Sequence, residues 1–297
     1  MKAAVLVVGA TGIIGQGVAQ AVIESGRPLI AVARDPAELA QLQAAHPRGD
    51  IVALSGSIAS DGESQQLAMA LRDLGRPIAG IIVAISGHAD RGRLLDQPTD
   101  VMRRKLDAYL LPHLSAARHL LPLLTDTGRG GSYVLIGGPG SQRPWAGYAH
   151  RSVAAAALRM LAWALHEEAR ALGVRLQLLS VDVPACGEHN RLHACSHWPS
   201  VVAIGRRALE LVERGDAEPP HAIVSFAAPA PPRTVVPFAA PAPPHSEPVA
   251  SEPAGSLVHD TNREVPLLTE RWLQDARTLL QALTPSNPNE VSPHDSP

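Results

Sequence analysis

The sequence predicts an α/β fold in which a doubly wound parallel sheet lies between two layers of helices. Two observations predict it. Short apolar runs alternate with longer amphipathic stretches over the first 182 of the 297 residues, as strands and crossover helices do. A glycine-rich turn also follows the first apolar run directly. Right-handed crossovers then give a Rossmann-type, three-layer α/β/α sandwich.

Each element follows from this alternation in chain order. The apolar runs predict strands at residues 3–8, 28–33, 51–54, 78–85, 132–136 and 174–181. The amphipathic stretches predict helices at about residues 13–25, 36–45, 63–74, 100–124 and 148–172. A helix at 201–213 and a last strand at 221–226 complete a predicted Rossmann-type domain over residues 1–226.

The chain changes character after this domain, because 16 of its 27 prolines lie in the last 79 residues. The heptapeptide FAAPAPP begins at Phe226 and recurs at Phe238. Proline at this density predicts a semi-stiff linker over 227–263, or a motif for a proline-recognising partner. The pattern of apolar residues predicts an amphipathic helix over 264–283 that packs on the domain or on a second subunit. A disordered tail is predicted over 284–297.

The composition narrows the classes of partner. The 26 basic and 28 acidic residues leave a formal charge of −2, so we expect neither nucleic acid nor a membrane surface as partner. The opening apolar run is too short for a membrane span and has no signal-peptide cleavage site, and two cysteines cannot form a disulfide framework. We therefore expect a cytoplasmic protein with a small-molecule substrate.

The turn after the first strand has the pattern GxxGxxG, from Gly9 to Gly15, and leads into a helix. Glycine lets the backbone approach a diphosphate, and a helix N-terminus offers free N–H groups to it. The alternative is a turn that only packs the helix on the strand. We predict cofactor binding, with residues at the turn and after the second, third and fourth strands: Gly9, Thr11, Gly12, Ile13, Ile14, Gly15, Arg34, Ser57 and Gly87.

The end of the second strand indicates which dinucleotide is bound. Ala33 stands where an acidic residue would hold the ribose hydroxyls of NAD, and Arg34 follows it. A guanidinium pairs with a 2′-phosphate, so NADP(H) is favoured while NAD(H) stays open. Two alternatives are that Arg34 only caps the loop and that Asp35 holds the ribose.

Over about residues 1–215 the chain resembles the short-chain dehydrogenase/reductase superfamily, and specifically its extended or atypical branches. The resemblance rests on the glycine turn, on the fourth strand that runs into Gly87, on Leu120-Leu121-Pro122 and on Gly147-Tyr148-Ala149. It implies an oxidoreductase that uses NAD(P)(H). In that family a tyrosine gives or takes the proton on the substrate oxygen, and Tyr148 matches it.

The resemblance also shows where the catalytic motif departs from the family. The family's lysine, four residues after the tyrosine, is replaced by Ser152, and neither lysine of the chain can substitute for it by sequence position. Efficient acid–base catalysis by a phenol at neutral pH needs a nearby cation. Arg151 or His150 could supply it, and Arg151 is better placed because residues three apart share a helical face.

Two further family positions differ. Glycines 137–138 stand where the family has a serine that bonds the substrate oxygen, which leaves Ser141 as the nearest hydroxyl. The family's helix asparagine corresponds to Tyr109. The spacing of Lys105, Tyr109 and His113 predicts a polar stripe on one helix, which is either a second proton path or a solvated or interface face.

A cysteine- and histidine-rich stretch, residues 186–198, follows the sixth strand, in the loop that covers the substrate in the family. Thiols and imidazoles are ligands that zinc prefers, and His189 and His193 would share a helical face. The spacing fits no familiar zinc pattern, so we predict no metal site. A polar substrate lid, with Trp198 as an apolar wall, is favoured over an incidental surface loop.

Three functions are compatible with these sequence features. The first is an NADP(H)-dependent oxidoreductase of a carbonyl or alcohol group, with Tyr148 as acid or base and Arg151, Ser152, Ser141 and Tyr109 beside it. The second is a redox-silent relative that keeps the nucleotide pocket and works as a cyclase, isomerase, dehydratase or cofactor-binding regulator. The third is a scaffold that assembles through the proline-rich repeat. Members of the family commonly pair through two long helices, so a homo-oligomer is expected.

Overall fold

The structure is a computed structural model that describes residues 2–85, 91–125, 131–145, 147–213 and 221–226. Within those ranges the side chains of His189 and His193 are not described. Gly87 and the predicted linker, C-terminal helix and tail over 227–297 lie outside the described residues.

Within the described residues, seven strands form one sheet in the order β3-β2-β1-β4-β5-β6-β7, and all neighbouring pairs are parallel. Their bounds are β1 Ala4–Val8, β2 Leu29–Ala33, β3 Ile51–Ser55, β4 Ile78–Val83, β5 Gly131–Gly137, β6 Val174–Ser180 and β7 Ile223–Ser225. The strand order reverses between β1 and β4. In sheets of this kind the crevice at the carboxyl ends of these two strands is the ordinary ligand site.

Eight helices are present in the described part of the chain. Their bounds are α1 Ile13–Glu24, α2 Pro36–Ala45, α3 Asp61–Asp73, α4 Thr99–Tyr109, α5 Leu111–Leu120, α6 Pro122–Thr125, α7 Ala149–Ala171 and α8 Val201–Glu213. Short 3₁₀ turns lie at Leu94–Asp96 and Glu188–His193. None of the described helices is long and apolar enough to cross a membrane.

Buried side chains on both faces of the sheet make the three layers. Leu67 of α3, Leu120 of α5 and Leu158 of α7 pack into the core on one face. Val18 of α1 and Ile204 of α8 pack into the core on the other. Every residue of β1 and β2 is buried, because helices cover the sheet on both sides. The predicted doubly wound sandwich is confirmed.

The single helix predicted over 100–124 is wrong, because the chain there forms α4, α5 and α6. Pro112 has no N–H to donate to the carbonyl four residues earlier, and Pro122 repeats this defect one helix later. At the first break, the N–H groups of His113 and Leu114 both donate to the Leu110 carbonyl, at 3.1 and 3.4 Å. The break places Lys105 and Tyr109 on α4 and His113 on α5, so the predicted polar stripe is interrupted. His113 is buried, with 2% of its surface exposed.

Candidate functional site

A cavity of about 1260 Å³ lies at the carboxyl ends of β1, β2, β3 and β4. It exceeds the range of about 300–1000 Å³ that is common for small-molecule pockets. It is formed by the glycine turn, by the loops after the strands and by one face of α4. The predicted site residues among its lining are Gly9, Thr11, Gly12, Arg34, Ser57 and Tyr109.

The glycine turn needs glycine at two positions because backbone groups approach them closely. Gly9 has φ +81°, and a Cβ there would lie 2.6 Å from the carbonyl oxygen of Ala84 after β4. A Cβ on Gly15 would collide with the carbonyl of Gly9. The turn is thus folded back tightly on itself and on β4, and its backbone is left bare toward the cavity.

Backbone donors at the start of α1 are available to an anion. Gly12 is the N-cap and makes no side-chain cap bond, and the first intrahelical bond runs from the Gln16 N–H to the Gly12 carbonyl, at 2.8 Å. The N–H groups of Ile13, Ile14 and Gly15 therefore have no intrahelical acceptor. With the positive end of the helix dipole, they form the arrangement that binds phosphate groups in such turns.

Arg34 is exposed at the end of β2 and lines the cavity. Within the described residues its side chain forms no ion pair, while its backbone carbonyl accepts a bond from the Ser55 hydroxyl, at 3.1 Å. The neighbouring Asp35 caps α2, because its carboxylate accepts from the Ala37 N–H, at 2.8 Å. The cation is therefore available to a ligand, and the carboxylate has a structural task.

Tyr148 lies at the N-terminal boundary of α7 between an aromatic ring and a guanidinium. The ring of Trp145 stacks on it, with 4.3 Å between centroids and 25° between planes. Nε of Arg91 donates to the phenolic oxygen, at 2.9 Å, and its guanidinium carbon lies 5.5 Å from the ring centroid. This bond raises the pKa of Arg91. The phenol therefore has a cation in direct contact.

Sequence reasoning did not identify Arg91. It meets Tyr148 because the chain after β4 pairs with the chain before α7, where the Gly92 N–H donates to the Gly147 carbonyl at 3.0 Å. These segments are more than 50 residues apart, and no spacing in the sequence relates them. The excess of arginine over lysine in the composition was the only sign in the sequence that an arginine would supply the cation beside Tyr148.

Arg151 lies over the carboxyl end of β5. A Cβ added at Gly138 would be 3.0 Å from Nη2 of Arg151, so the guanidinium uses space that a side chain at position 138 would fill. Its guanidinium carbon is 5.8 Å from the ring centroid of Trp145. Burial lowers the pKa of Arg151, and the phenols of Tyr109 and Tyr148 act in the opposite direction. Arg151 thus sits in the electrostatic range of both predicted tyrosines.

Ser152, at the family's lysine position, joins α7 to the loop before it. Its hydroxyl accepts from the Trp145 N–H, at 2.8 Å, and donates to the Tyr148 carbonyl, at 3.1 Å. A Cβ on Gly140 would lie 2.7 Å from this hydroxyl oxygen, and Ser152 is 6% exposed. The side chain therefore holds the backbone on which Tyr148 and Trp145 are carried.

Ser141 belongs to a polar group at the carboxyl ends of β5 and β6. Its hydroxyl donates to the carboxylate of Asp182, at 3.1 Å, and Gln142 and Ser180 donate to the same carboxylate, at 2.9 and 3.1 Å. The group ties the loop before α7 to the end of β6, and Ser141 was its only member among the predicted site residues.

Lys105 and Tyr109 of α4 remain together on the cavity wall. Nζ of Lys105 is 5.9 Å from the ring centroid of Tyr109. His113, the third member of the predicted stripe, is buried behind them, and burial lowers its pKa from 6.5 to about 4. The stripe therefore divides into two cavity residues and one core residue.

The cysteine- and histidine-rich loop packs beside the glycine turn. A Cβ on Gly187 would lie 3.0 Å from the side chain of Ile13, and the Cys186 N–H donates to the Pro199 carbonyl, at 2.8 Å. Among the described side chains, which exclude His189 and His193, no three His, Cys, Asp or Glu residues could hold a metal ion.

Comparison with known proteins agrees with this geometry. The family model described as short chain dehydrogenase matches residues 3–183. A short-chain dehydrogenase from Rhodopseudomonas palustris is 20% identical, with TM-score 0.62, over 76% of this chain and 98% of that one. An NADP complex of a short chain dehydrogenase from Burkholderia cenocepacia has the same identity and TM-score, over 76% and 89%.

A third solved structure is the NADPH-bound short chain oxidoreductase from Pseudomonas aeruginosa described as containing an atypical catalytic center. It is 16% identical, with TM-score 0.62, over 70% of this chain and 89% of that one. No curated protein matches the sequence significantly. The solved structures show the shared fold, and the family model covers more than half of the chain. The chain therefore belongs to the short-chain dehydrogenase family.

Proposed function

We propose that this protein is an NADP(H)-dependent oxidoreductase that reduces a carbonyl or oxidises an alcohol on a small metabolite. Tyr148 is its proton donor and acceptor. The observation that carries the proposal is the 2.9 Å hydrogen bond from Arg91 to the phenolic oxygen of Tyr148. A guanidinium in that position replaces the cation that the missing lysine would provide.

The chain's own residues fit a phosphorylated dinucleotide. The bare turn at Gly9 and Gly15 and the free N–H groups of α1 would hold its diphosphate, and Arg34 would hold a 2′-phosphate through charge-assisted hydrogen bonds. The bound cofactor would supply or accept the hydride. The NADP and NADPH complexes of the Burkholderia and Pseudomonas proteins support this choice.

Proton transfer is then the task of Tyr148. As a carbonyl carbon gains hydride its oxygen becomes negative, and the phenol donates its proton to that oxygen. Arg91 stabilises the phenolate that remains, because a charge-assisted hydrogen bond is stronger to the anion than to the phenol. Ser152 fixes the backbone at Tyr148 and Trp145, and Trp145 restricts the orientation of the phenol ring. Tyr148 transfers the proton, Arg91 acts directly on its phenolic oxygen, and Ser152 and Trp145 position the phenol.

The test is NADPH oxidation at 340 nm with a panel of aldehydes and ketones. Tyr148→Phe should lower kcat at least about 100-fold, the lower range for general acid catalysis, and leave the Kd of NADPH within about twofold. Tyr133→Phe is the matched control, because that hydroxyl is buried in the core without a described partner. Equal activity in Tyr148→Phe and wild type would refute the role of Tyr148.

A second candidate is the redox-silent protein that keeps the nucleotide pocket. The observation in its favour is the close packing of Ser152 on Gly140, which fills the family's lysine position with a side chain committed to the backbone. This candidate predicts turnover, if a substrate is found, without net consumption of NADPH. Stoichiometric NADPH oxidation excludes it.

We also propose that the protein is a homo-oligomer through the outer faces of α5 and α7. Leu111, Leu114, Val153, Met160 and Trp163 expose between 43% and 63% of their surface there. The three positions on α7 follow helical spacing and form one apolar stripe, which a second copy of the chain would bury. Sedimentation of Trp163→Lys should show a lower mass than wild type. An unchanged mass would contradict this interface.

A further inference from the structure

Arg151 carries a charge for which the described residues provide no counter-ion. Its side chain is half-buried over Trp145 and against Gly138, at the carboxyl end of β5. No Asp or Glu among the described residues pairs with it, and no described group accepts a hydrogen bond from it. A guanidinium that has lost part of its water without gaining an acceptor destabilises the folded protein.

The position of Arg151 on its helix adds to this cost. It lies in the first turn of α7, where the helix dipole is positive and a cation is unfavourable. That turn contains no acidic residue, and the side chain of the N-cap residue, Tyr148, makes no capping hydrogen bond to the helix backbone. His150 is buried beside it. The start of α7 is therefore a partly desolvated, electropositive place that an anion would stabilise.

We infer that Arg151 binds a carboxylate of the substrate, so that the substrates are carbonyl or alcohol compounds that carry a carboxylate group. The inference deepens the proposed oxidoreductase function and rests on it. The planar guanidinium presents parallel donors that match the two oxygens of a carboxylate. Gly138 leaves the space that this approach requires, since a side chain there would meet Nη2.

The two phenols near Arg151 indicate the size of the substrate. The phenols of Tyr109 and Tyr148 both act to raise the pKa of Arg151. The ring centroid of Trp145 lies 5.8 Å from the guanidinium carbon of Arg151 and 4.3 Å from the ring centroid of Tyr148. A carboxylate held by Arg151 therefore lies near the phenol that transfers the proton. Short oxo acids, in which few bonds separate the carboxylate from the carbonyl, fit this arrangement.

The experiment compares short 2-, 3- and 4-oxo acids with their methyl esters, in which the carboxylate is replaced by a neutral group that is larger by one methyl. Wild type should show a kcat/KM for its best acid about 10- to 100-fold above that for the matched ester, as expected for a hydrogen-bonded charge. Arg151→Met should lose this preference because its kcat/KM falls more for the acid than for the ester, and Arg151→Lys should keep part of the preference. Arg170→Met removes the same charge from an exposed site about 28 Å along α7 and should change neither value.

Binding provides a second measurement that does not require turnover. The same acids and esters are titrated into the protein–NADP⁺ complex, and intrinsic tryptophan fluorescence reports binding because Trp145 lies against Arg151. If acids bind more tightly than esters but no NADPH is consumed, the carboxylate site stands and the oxidoreductase function fails. If esters are turned over as well as acids, or if Arg151→Met weakens both equally, the oxidoreductase stands and the carboxylate site is refuted.

Discussion

Replacing His113 by leucine should remove a specific part of the protein's sensitivity to acid. His113 is 2% exposed on α5, and its Nδ1 has no described hydrogen-bond partner. Burial lowers its pKa from 6.5 to about 4 in the folded protein. Between these values the unfolded chain binds a proton that the folded chain does not bind. The contribution of the neutral His113 side chain to the free energy of unfolding is therefore fully present above pH 6.5, and it is lost progressively as the pH falls toward 4.

The size of the effect follows from the difference between the two pKa values. A difference of about 2.5 units corresponds to about 3 kcal/mol once both states are protonated. At pH 5 the unfolded chain is nearly fully protonated at this site and the folded chain is not, so the loss relative to pH 7 is about 2 kcal/mol. Between pH 7 and pH 5, His113→Leu should therefore lose about 2 kcal/mol less of its free energy of unfolding than wild type loses. At pH 7 the variant should be as stable as wild type or about 1 kcal/mol more stable.

The assay is urea unfolding followed by far-UV circular dichroism at pH 7, 6 and 5. Carboxylates titrate in both proteins, so their contribution to the pH dependence cancels when the stability of the variant is compared with that of wild type. His197→Gln replaces an exposed histidine and serves as the control for the loss of a histidine side chain. If His113→Leu loses as much stability between pH 7 and 5 as wild type does, then His113 is not buried as a neutral imidazole and the packing of α5 is wrong.

Three further predictions concern the candidate site. Arg34→Gln should weaken NADPH binding about 10- to 100-fold in calorimetry and leave NADH unchanged, while the exposed control Arg48→Gln should alter neither; equal weakening of both cofactors would exclude a 2′-phosphate contact. Arg91→Gln should lower kcat about tenfold at unchanged KM for NADPH, with partial rescue in Arg91→Lys; an unchanged kcat would remove Arg91 from the mechanism. Ser152→Lys, which restores the family's residue, should lower the free energy of unfolding in urea by at least about 2 kcal/mol without raising kcat. A more active variant would contradict the close packing of Ser152 on Gly140.

The fold was predictable from the sequence because the pattern is repeated and local. Buried parallel strands read as continuous apolar runs, and each strand of β1 to β6 lies within two residues of its predicted bounds. The glycine turn could also be recognised, since its residues are consecutive and its function depends on the backbone. The predicted helix over 100–124 failed because amphipathic spacing continues across Pro112, although proline cannot continue the hydrogen bonding.

The candidate site was predictable only where its residues follow a strand or a turn. Arg34 comes directly after β2, and its place on the cavity wall follows from that position. Arg91 contacts Tyr148 through long-range pairing of two loops, which a single sequence does not report. The predicted catalytic roles of Arg151, Ser152, Ser141 and Tyr109 remain predictions. The structure shows which atoms each of these side chains contacts. Those contacts identify the substitutions that would test each role.

A calorimetric titration of NADPH and NADH into the wild-type protein and Tyr148→Phe tests the assignment of the cavity most directly. We predict that NADPH binds with a 1:1 stoichiometry, more tightly than NADH, and equally well to both proteins, because the turn and Arg34 hold the cofactor while Tyr148 acts on the substrate. Absence of binding heat from either cofactor at millimolar concentration would contradict the assignment of the cavity, and the proposed oxidoreductase function would fail with it.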